Sequence, residues 1–358
     1  MRVVQVAPSF YPSKGGVETH VWQVSKELIQ LGHQVSVLTL DSASLNLKLL
    51  QLKLLKNQEL KLAQITPVLP KLPVQTQLRS LAYKLFLWRQ VIKLVSTLRS
   101  YDVIQVHDVA WWLLPIWPFF KKKIFITFHG WEGVYPVPKK NIYQRRFFSR
   151  LARGVIHVGT FIQKFYGDRP DLVIYGGTSV DNLKFRIKNL RFKIENVVFV
   201  GRLEKENELK KHLEFVKLLK NKYPNLNVIW VGDGRYRQRC QSLGQVTGMV
   251  GESTLADYLK PADLVLASSY LSILKALVYG KLVVAFYGHR LKESYLKDSP
   301  MAKYMLVSDS PKQVISWLAK ESALPDLDQT REWAKKQTWG KVAKEYLRLW
   351  YGGREGGR

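Results

Sequence analysis

The sequence of 358 residues contains a single cysteine, Cys240. One thiol excludes an intramolecular disulfide, disfavours a cysteine-built zinc cluster and fits a reducing compartment. No Asp-x-Asp or His-x-x-x-His pair is placed for a metal, so none is expected. No apolar run approaches the roughly 20 residues that a membrane-spanning helix needs. The longest, residues 109–120, is interrupted by Pro115 and Pro118. The opening Met1-Arg2-Val3-Val4-Gln5-Val6 goes straight into a strand pattern, without the features of a secretory leader. Acidic residues are also scarce: 28 Asp and Glu stand against 56 Lys and Arg, a net charge of +28. That field either attracts polyanions (an anionic membrane, nucleic acid, phosphorylated small molecules) or is simply a lysine-rich surface. The basic residues are dispersed, and no helix-turn-helix, zinc module or aromatic RNA-binding signature occurs. No specific nucleic-acid partner is expected.

What is present is a rhythm of short apolar runs. In residues 196–286 these are Val197-Val198-Phe199-Val200, Val228-Ile229-Trp230-Val231, Leu264-Val265-Leu266-Ala267 and Leu282-Val283-Val284-Ala285. Each is rich in β-branched residues or leucine and closed by Gly or Ser, the pattern of parallel strands buried on both faces. Between them, residues 209–222 place Leu209, Leu213, Val216 and Leu219 on one helical face. Strand and helix alternate, which predicts a doubly wound α/β sheet with its ligand beyond the carboxyl ends of the strands.

The first half repeats the architecture. Strands are expected at 3–6, 34–40, 102–108, 124–128, 154–158 and 172–175. Gly15-Gly16 precedes a helix carrying Val21, Val24, Leu28 and Leu31. Glycines there let backbone N–H groups approach an anion, although Gly-Gly alone also marks an ordinary turn. Residues 45–61 mix leucines with Lys48, Lys53 and Lys56. Residues 82–98 place Leu85, Trp88, Ile92 and Val95 on one face among Lys84, Arg89 and Lys93. Both stretches are expected to be helical, as basic amphipathic helices at a membrane interface or as surface helices packed on the sheet. Trp111-Trp112-Leu113-Leu114-Pro115-Ile116-Trp117-Pro118-Phe119-Phe120, followed by three lysines, suits a bilayer headgroup region or a segment buried between domains. A final helix is expected over 331–350, and a linker near 172–192.

Taken together these positions resemble the GT-B fold: two Rossmann-like doubly wound parallel-sheet domains facing a central cleft, with a C-terminal helix crossing back to the first. Within it they resemble family 4 of the retaining glycosyltransferases (glycosyl transferases group 1). The resemblance rests on Gly15-Gly16-Val17-Glu18, Ile126-Thr127-Phe128-His129-Gly130, Val200-Gly201-Arg202-Leu203, Val231-Gly232-Asp233-Gly234, the frame 276–285 and Trp339-Gly340-Lys341-Val342. It implies an acceptor-binding domain over 1–171, completed by a crossing helix at about 331–351, and a donor-binding domain over 172–330. It implies transfer of a sugar from a UDP- or GDP-sugar, with configuration kept, to a glycan or lipid-linked acceptor of the cell envelope. The protein would be cytoplasmic, peripheral on the inner face of an anionic membrane, and would need no metal.

The chemistry fits. A departing diphosphate needs fixed positive groups and N–H donors aimed at it. By resemblance Arg202 grips the diphosphate. Gly15, Gly16 and the helix start near Ser272 and Ile273 supply N–H groups, and Gly251 closes the floor under the base. His129 meets a sugar hydroxyl and the reacting region. The plain alternatives are a surface salt bridge for Arg202 and a capped strand end for His129. Three departures stand out. Asn207 replaces a lysine, for which Lys205 would substitute. The Glu-x7-Glu pair is missing, with Lys275 where the second glutamate would bind ribose hydroxyls; Lys275 would pair with phosphate instead. The usual hinge reads Tyr175-Gly176-Gly177-Thr178-Ser179-Val180-Asp181. The alternative to an active enzyme is a catalytically silent member that binds a membrane or a partner.

Overall fold

A computed structural model describes residues 1–11, 15–41, 46–55, 60–64, 81–179, 194–320 and 324–352. Within them the chain forms two compact units, Met1–Ile174 with Trp339–Arg358, and Tyr175–Thr338. Most of the expected linker, the hinge residues Val180 and Asp181, and residues 65–80 lie outside the described residues.

The first unit is built on eight strands: β1 Arg2–Val6, β2 Gln34–Leu40, β3 Leu47–Leu54, β4 Leu60–Gln64, β5 Val103–His107, β6 Ile124–Phe128, β7 Gly154–Val158 and β8 Leu172–Ile174. Their order is β4-β3-β2-β1-β5-β6-β7-β8. From β2 to β8 the pairs are parallel, and β5, β6 and β7 are buried along their whole length. The helix expected over 45–61 is absent. β3 and β4 instead pair antiparallel at the open edge of β2. Leu47, Leu49 and Leu52 are buried while Lys53 is exposed. The edge of the sheet offers backbone partners, so an extended run beats a leucine-rich helix despite the helix propensity of Leu and Lys.

Two further expectations change. The helix Leu81–Lys93 buries Tyr83, Leu87, Gln90 and Val91, leaving Leu85 and Ile92 exposed. Its buried face packs on the 3₁₀ turn Ala110–Ile116, where Trp88 Nε1 donates to Trp111 O at 3.0 Å. The aromatic run behind that turn is core, not surface: Trp112, Leu113, Ile116, Trp117 and Phe120 are buried. Phe119 alone of its large side chains is strongly exposed, at 71%. No described helix is long and apolar enough to cross a membrane.

The second unit holds β9 Asn196–Val200, β10 Asn227–Val231, β11 Gln245–Gly248, β12 Leu264–Ala267, β13 Leu282–Phe286 and β14 Leu306–Ser308. Their order is β11-β10-β9-β12-β13-β14, all parallel. The chain winds outward from β9 to β11, then returns beside β9 with β12. The topological switch therefore lies between β9 and β12, where open α/β sheets bind ligands at the carboxyl end. The helix Leu209–Lys222 buries Leu209, Leu213, Val216 and Leu219 as its period predicts, and His212 and Phe215 with them.

The expected final helix is two helices. Leu327–Lys335 belongs to the second unit and packs on the helix Tyr270–Val278. Trp339–Gly352 belongs to the first unit and packs on the helix Gly16–Gln30.

At the carboxyl ends of β9 and β10 two turns touch. Gly201 N donates to Val231 O at 3.1 Å, and Gly232 has φ 149°. A Cβ at Gly232 would overlap the Gly201 carbonyl oxygen. Gly232→Ala is therefore expected to destabilise the chain by about 2–4 kcal/mol, through strain and forced separation of the turns. Urea unfolding measures it; a loss below about 0.5 kcal/mol is the contrary result.

Candidate functional site

In the first unit the carboxyl ends of β1, β5 and β6 carry a buried polar cluster. It is wired by hydrogen bonds that run from the C-terminal helix to the strand ends. Trp350 Nε1 can only donate, and it donates to Gln105 Oε1 at 3.0 Å. Gln105 Nε2 then donates to Thr127 Oγ1 at 3.0 Å. Thr127 Oγ1 and Tyr346 Oη share a hydrogen bond at 2.8 Å, and Tyr346 Oη shares another with His20 Nε2 at 2.9 Å. The C-terminal helix is thus joined to the strand ends and to the helix Gly16–Gln30 by one chain of hydrogen bonds.

His129 stands beside this cluster. His20 meets its ring edge-on at 4.7 Å, and His107 Nδ1 is 2.8 Å from His129 Nε2. Its backbone N–H donates to Asp108 Oδ1 at 3.0 Å, and Asp108 itself holds φ 63°. Burial, then the Arg145 guanidinium, lowers the His129 pKa to about 3. Burial, then neighbouring histidines, holds His20 and His107 well below the ordinary imidazole range. All three rings are neutral near pH 7. Arg145, itself buried, lies over the Tyr166 ring at 3.7 Å and bonds Gly130 O at 2.9 Å and Glu132 at 3.1 Å. It fixes the loop after His129 and supplies positive charge beside it.

Gly15 is the N-cap of the helix Gly16–Gln30 in an extended conformation. The Glu18 carboxylate folds back against it and accepts from Ser9 Oγ. A carboxylate therefore already occupies part of the positive end of this helix, while the space beside Gly16 is open.

In the second unit Arg202 follows β9. Its side chain is 62% exposed and pairs with Glu206 at 3.1 Å, an exposed ion pair of little energetic weight. Asn207, in the position expected of a lysine, is buried, and its Nδ2 donates to Arg202 O at 2.8 Å. Asn207 ties the turn together rather than offering charge. Lys205, on the same turn, is exposed. After β12, Ser269 caps the helix Tyr270–Val278, with Ser269 Oγ and Ser272 Oγ 2.9 Å apart. Ile273, expected to offer its N–H to an anion, spends it on Ser269 O at 2.9 Å, and its side chain is buried. The N–H of Tyr270 goes to Tyr295 Oη at 2.9 Å. The first-turn donors that precede the helical ladder are those of Leu271 and Ser272.

Lys275 is not available for phosphate in the way its charge suggests. It is buried, and its Nζ donates to Glu252 Oε1 at 2.7 Å. Glu252 opens the helix Glu252–Leu259 directly after its cap Gly251, and its side chain is 53% exposed. A second buried lysine, Lys292, donates to Ser268 O at 2.6 Å and lies 4.4 Å over the Tyr295 ring. Burial lowers its pKa to about 7, against the pull of Glu208 and Glu206. His212 Nε2 meets Ser268 Oγ at 2.9 Å, its pKa lowered to about 3 by burial and then by Lys292. Among the described residues no three His, Cys, Asp or Glu side chains gather for a metal.

Sequence reasoning missed His20, His107, Asp108, Arg145, Tyr346, Glu252 and Lys292. Asp108 and His107 carried a faint signal, since polar residues ending an apolar strand are where ligands bind. The others come together only through tertiary packing. The three neutral rings of the first unit have a pH consequence. The unfolded chain takes up protons below the ordinary histidine pKa of 6.5, and the folded site refuses them until about pH 3 at His129. These rings cost nothing above about pH 6.5, and stability falls as pH drops from there toward about 3. Urea midpoints at pH 7.5 and pH 5 should differ in that direction. His20→Gln, which removes one such ring, should flatten the slope.

Residues 14–178 match the family described as Glycosyltransferase Family 4, and residues 194–316 match Glycosyl transferases group 1. No curated protein matches by sequence. Among solved structures, a glycosyltransferase from Rickettsia africae is similar at TM-score 0.68 and 14% identity, over 98% of each chain. HepE of Anabaena, in complex with UDP, is similar at TM-score 0.62 and 15% identity, over 98% of this chain and all of that one. The catalytic domain of starch synthase IV from Arabidopsis thaliana, bound to ADP and acarbose, has TM-score 0.62 and 13% identity, over 98% of this chain and 99% of that one. At such identities the likeness speaks to the fold, and the fold is GT-B. The chain belongs to the family 4, group 1, glycosyltransferases.

Proposed function

We propose that the chain transfers a sugar from a UDP- or GDP-sugar, with configuration kept, to a glycan or lipid-linked acceptor at a membrane. The observation that carries the donor half is the adjacency of β9 and β12, which puts the turn bearing Arg202 and Lys205 and the start of the helix Tyr270–Val278 at the carboxyl ends of neighbouring strands. Positive charge and backbone donors around the switch point suit a departing diphosphate. In this assignment the diphosphate is held without a metal. The neighbour HepE is described with UDP and with UDP-glucose, which favours a uridine donor. His129 meets the sugar, and retention of configuration rests on the family resemblance.

The missing ribose glutamate has a replacement on a different element. Lys275 anchors one oxygen of Glu252 and leaves the rest of that carboxylate half exposed, beside the floor of residues 246–251. Lys275 has no acceptor of its own, but the carboxylate it holds can accept from vicinal hydroxyls. Calorimetric titration with UDP and GDP at millimolar concentration tests the donor site, and no heat with either would favour the silent member. Glu252→Gln is expected to weaken UDP binding by roughly 10-fold, the effect of one charged hydrogen bond, and to leave 2′-deoxy-UDP nearly unchanged.

The membrane half draws on the surface of the first unit. On the helix Lys139–Leu151, Tyr143, Phe147 and Leu151 are exposed at intervals of one turn, among exposed Lys139, Lys140 and Arg150. Phe119 is exposed beside Lys121 and Lys122. Aromatic rings beside cations suit the headgroup layer of an anionic bilayer. Sedimentation with phosphatidylglycerol vesicles should exceed that with phosphatidylcholine and weaken with salt. Phe147→Ser with Lys140→Glu should reduce it severalfold, and binding indifferent to lipid charge would remove the membrane half alone.

A further inference from the structure

Three polar groups in the core of the first unit form a line. Gln5 sits on β1, His107 ends β5 and His129 follows β6. Gln5 and His107 are fully buried, and His129 is half-buried. Gln5 Oε1 is 2.6 Å from His107 Nε2, and His107 Nδ1 is 2.8 Å from His129 Nε2. Each link constrains the next. A carbonyl oxygen can only accept, so the proton of the His107 ring sits on Nε2. The neutral ring then has a lone pair on Nδ1, and that lone pair accepts from His129 Nε2–H. The neutral His129 ring is left with its own lone pair on Nδ1. That nitrogen has no hydrogen-bond partner among the described residues.

We propose that Gln5 and His107 are positioning residues that hold His129 in its Nε2–H tautomer, so that Nδ1 is presented as a fixed hydrogen-bond acceptor to a hydroxyl of the sugar being transferred. The inference rests on the assignment of His129 to the sugar made above. Its added content is chemical. A hydroxyl that donates to Nδ1 is recognised, and an acceptor-only substituent such as fluorine at the same carbon is refused. The arrangement also keeps the ring from wandering between tautomers, which would present a donor half of the time. Arg145 contributes in the same direction, since positive charge beside the ring opposes its protonation.

The opposite polarity is chemically distinct. Were the Gln5 amide turned about, its Nε2–H would donate to His107 Nε2. The His107 proton would move to Nδ1 and donate to His129 Nε2, and His129 Nδ1 would carry the proton. The Gln5 Nε2 of the structure has no partner in its buried site, so the two arrangements differ by which amide atom is left over.

Long-range proton–nitrogen correlation spectra of the full chain labelled with 15N-histidine read the tautomer directly, with His107→Phe and His129→Gln spectra giving the assignments. The expected result near pH 7 is Nε2–H for both His107 and His129. Nδ1–H at His129, an imidazolium ring or an even mixture overturns the proposal. Gln5→Glu keeps the acceptor and should keep the tautomer. Gln5→Met removes it and should yield a mixture at His129. With UDP-glucose and GDP-mannose as donor probes, release of nucleoside diphosphate by Gln5→Met should fall about tenfold in kcat, the equivalent of one lost transition-state hydrogen bond, with KM little changed; Gln5→Glu should restore it. A mixed tautomer with unchanged kcat overturns the positioning role. If the tautomer is as expected but His129→Gln turns over either donor as well as the native chain does, the assignment of His129 to the sugar fails while the relay stands.

Discussion

The hydroxyl of Tyr346 is the contact on which the first unit turns. It is hydrogen-bonded to Thr127 at the end of β6 and to His20 on the helix Gly16–Gln30, so a residue near the C-terminus is bonded to groups far apart in sequence. Burial raises the tyrosine's pKa well above its usual value, so the hydroxyl keeps its proton. Because Trp350 can only donate, the chain from Trp350 through Gln105 to Thr127 has one polarity. A buried polar network is favourable only when each member is satisfied, and then it permits a single arrangement of the core. The packing of Tyr346 against Trp350, with ring centroids 5.5 Å apart, keeps that arrangement dry.

The second unit meets a different constraint, which is how to place cations on buried helix faces. Lys275 and Lys292 are buried, and each is compensated locally: Lys275 by Glu252, Lys292 by a carbonyl, a tyrosine ring and nearby acidic groups. An unpaired buried ammonium would shed its proton or destabilise the fold. Lys292, at about 7, lies near that boundary. The buried ammonium of Lys275 thus brings with it a carboxylate on the neighbouring helix, Glu252, whose side chain stays half exposed.

The net charge of +28 acquires shape from burial. Arg145, Lys275 and Lys292 are internal and structural, whereas Lys139, Lys140, Lys121 and Lys122 are exposed beside aromatic side chains. Composition alone treats these residues as equivalent. Their energetic roles differ because the surrounding dielectric differs, and a buried charge interacts far more strongly with its neighbours than a solvated one.

The sequence by itself determined the alternation of buried strands and amphipathic helices in both halves, the parallel order that follows from it, and the positions of Arg202, His129 and the glycine turns. Those features are local: a run of β-branched residues or a helical period carries the same meaning wherever it lies. Only the tertiary structure decided that residues 47–54 and 60–64 are strands, that the aromatic run 111–120 is mostly core, that the end of the chain is two helices serving different units, and that His20, His107 and His129 share one site. Those outcomes depend on an open sheet edge, on which face finds a partner, and on hydrogen bonds between residues as distant as Gln105 and Trp350. No local pattern encodes such contacts, because the free energy that selects them is released only when the separate segments meet.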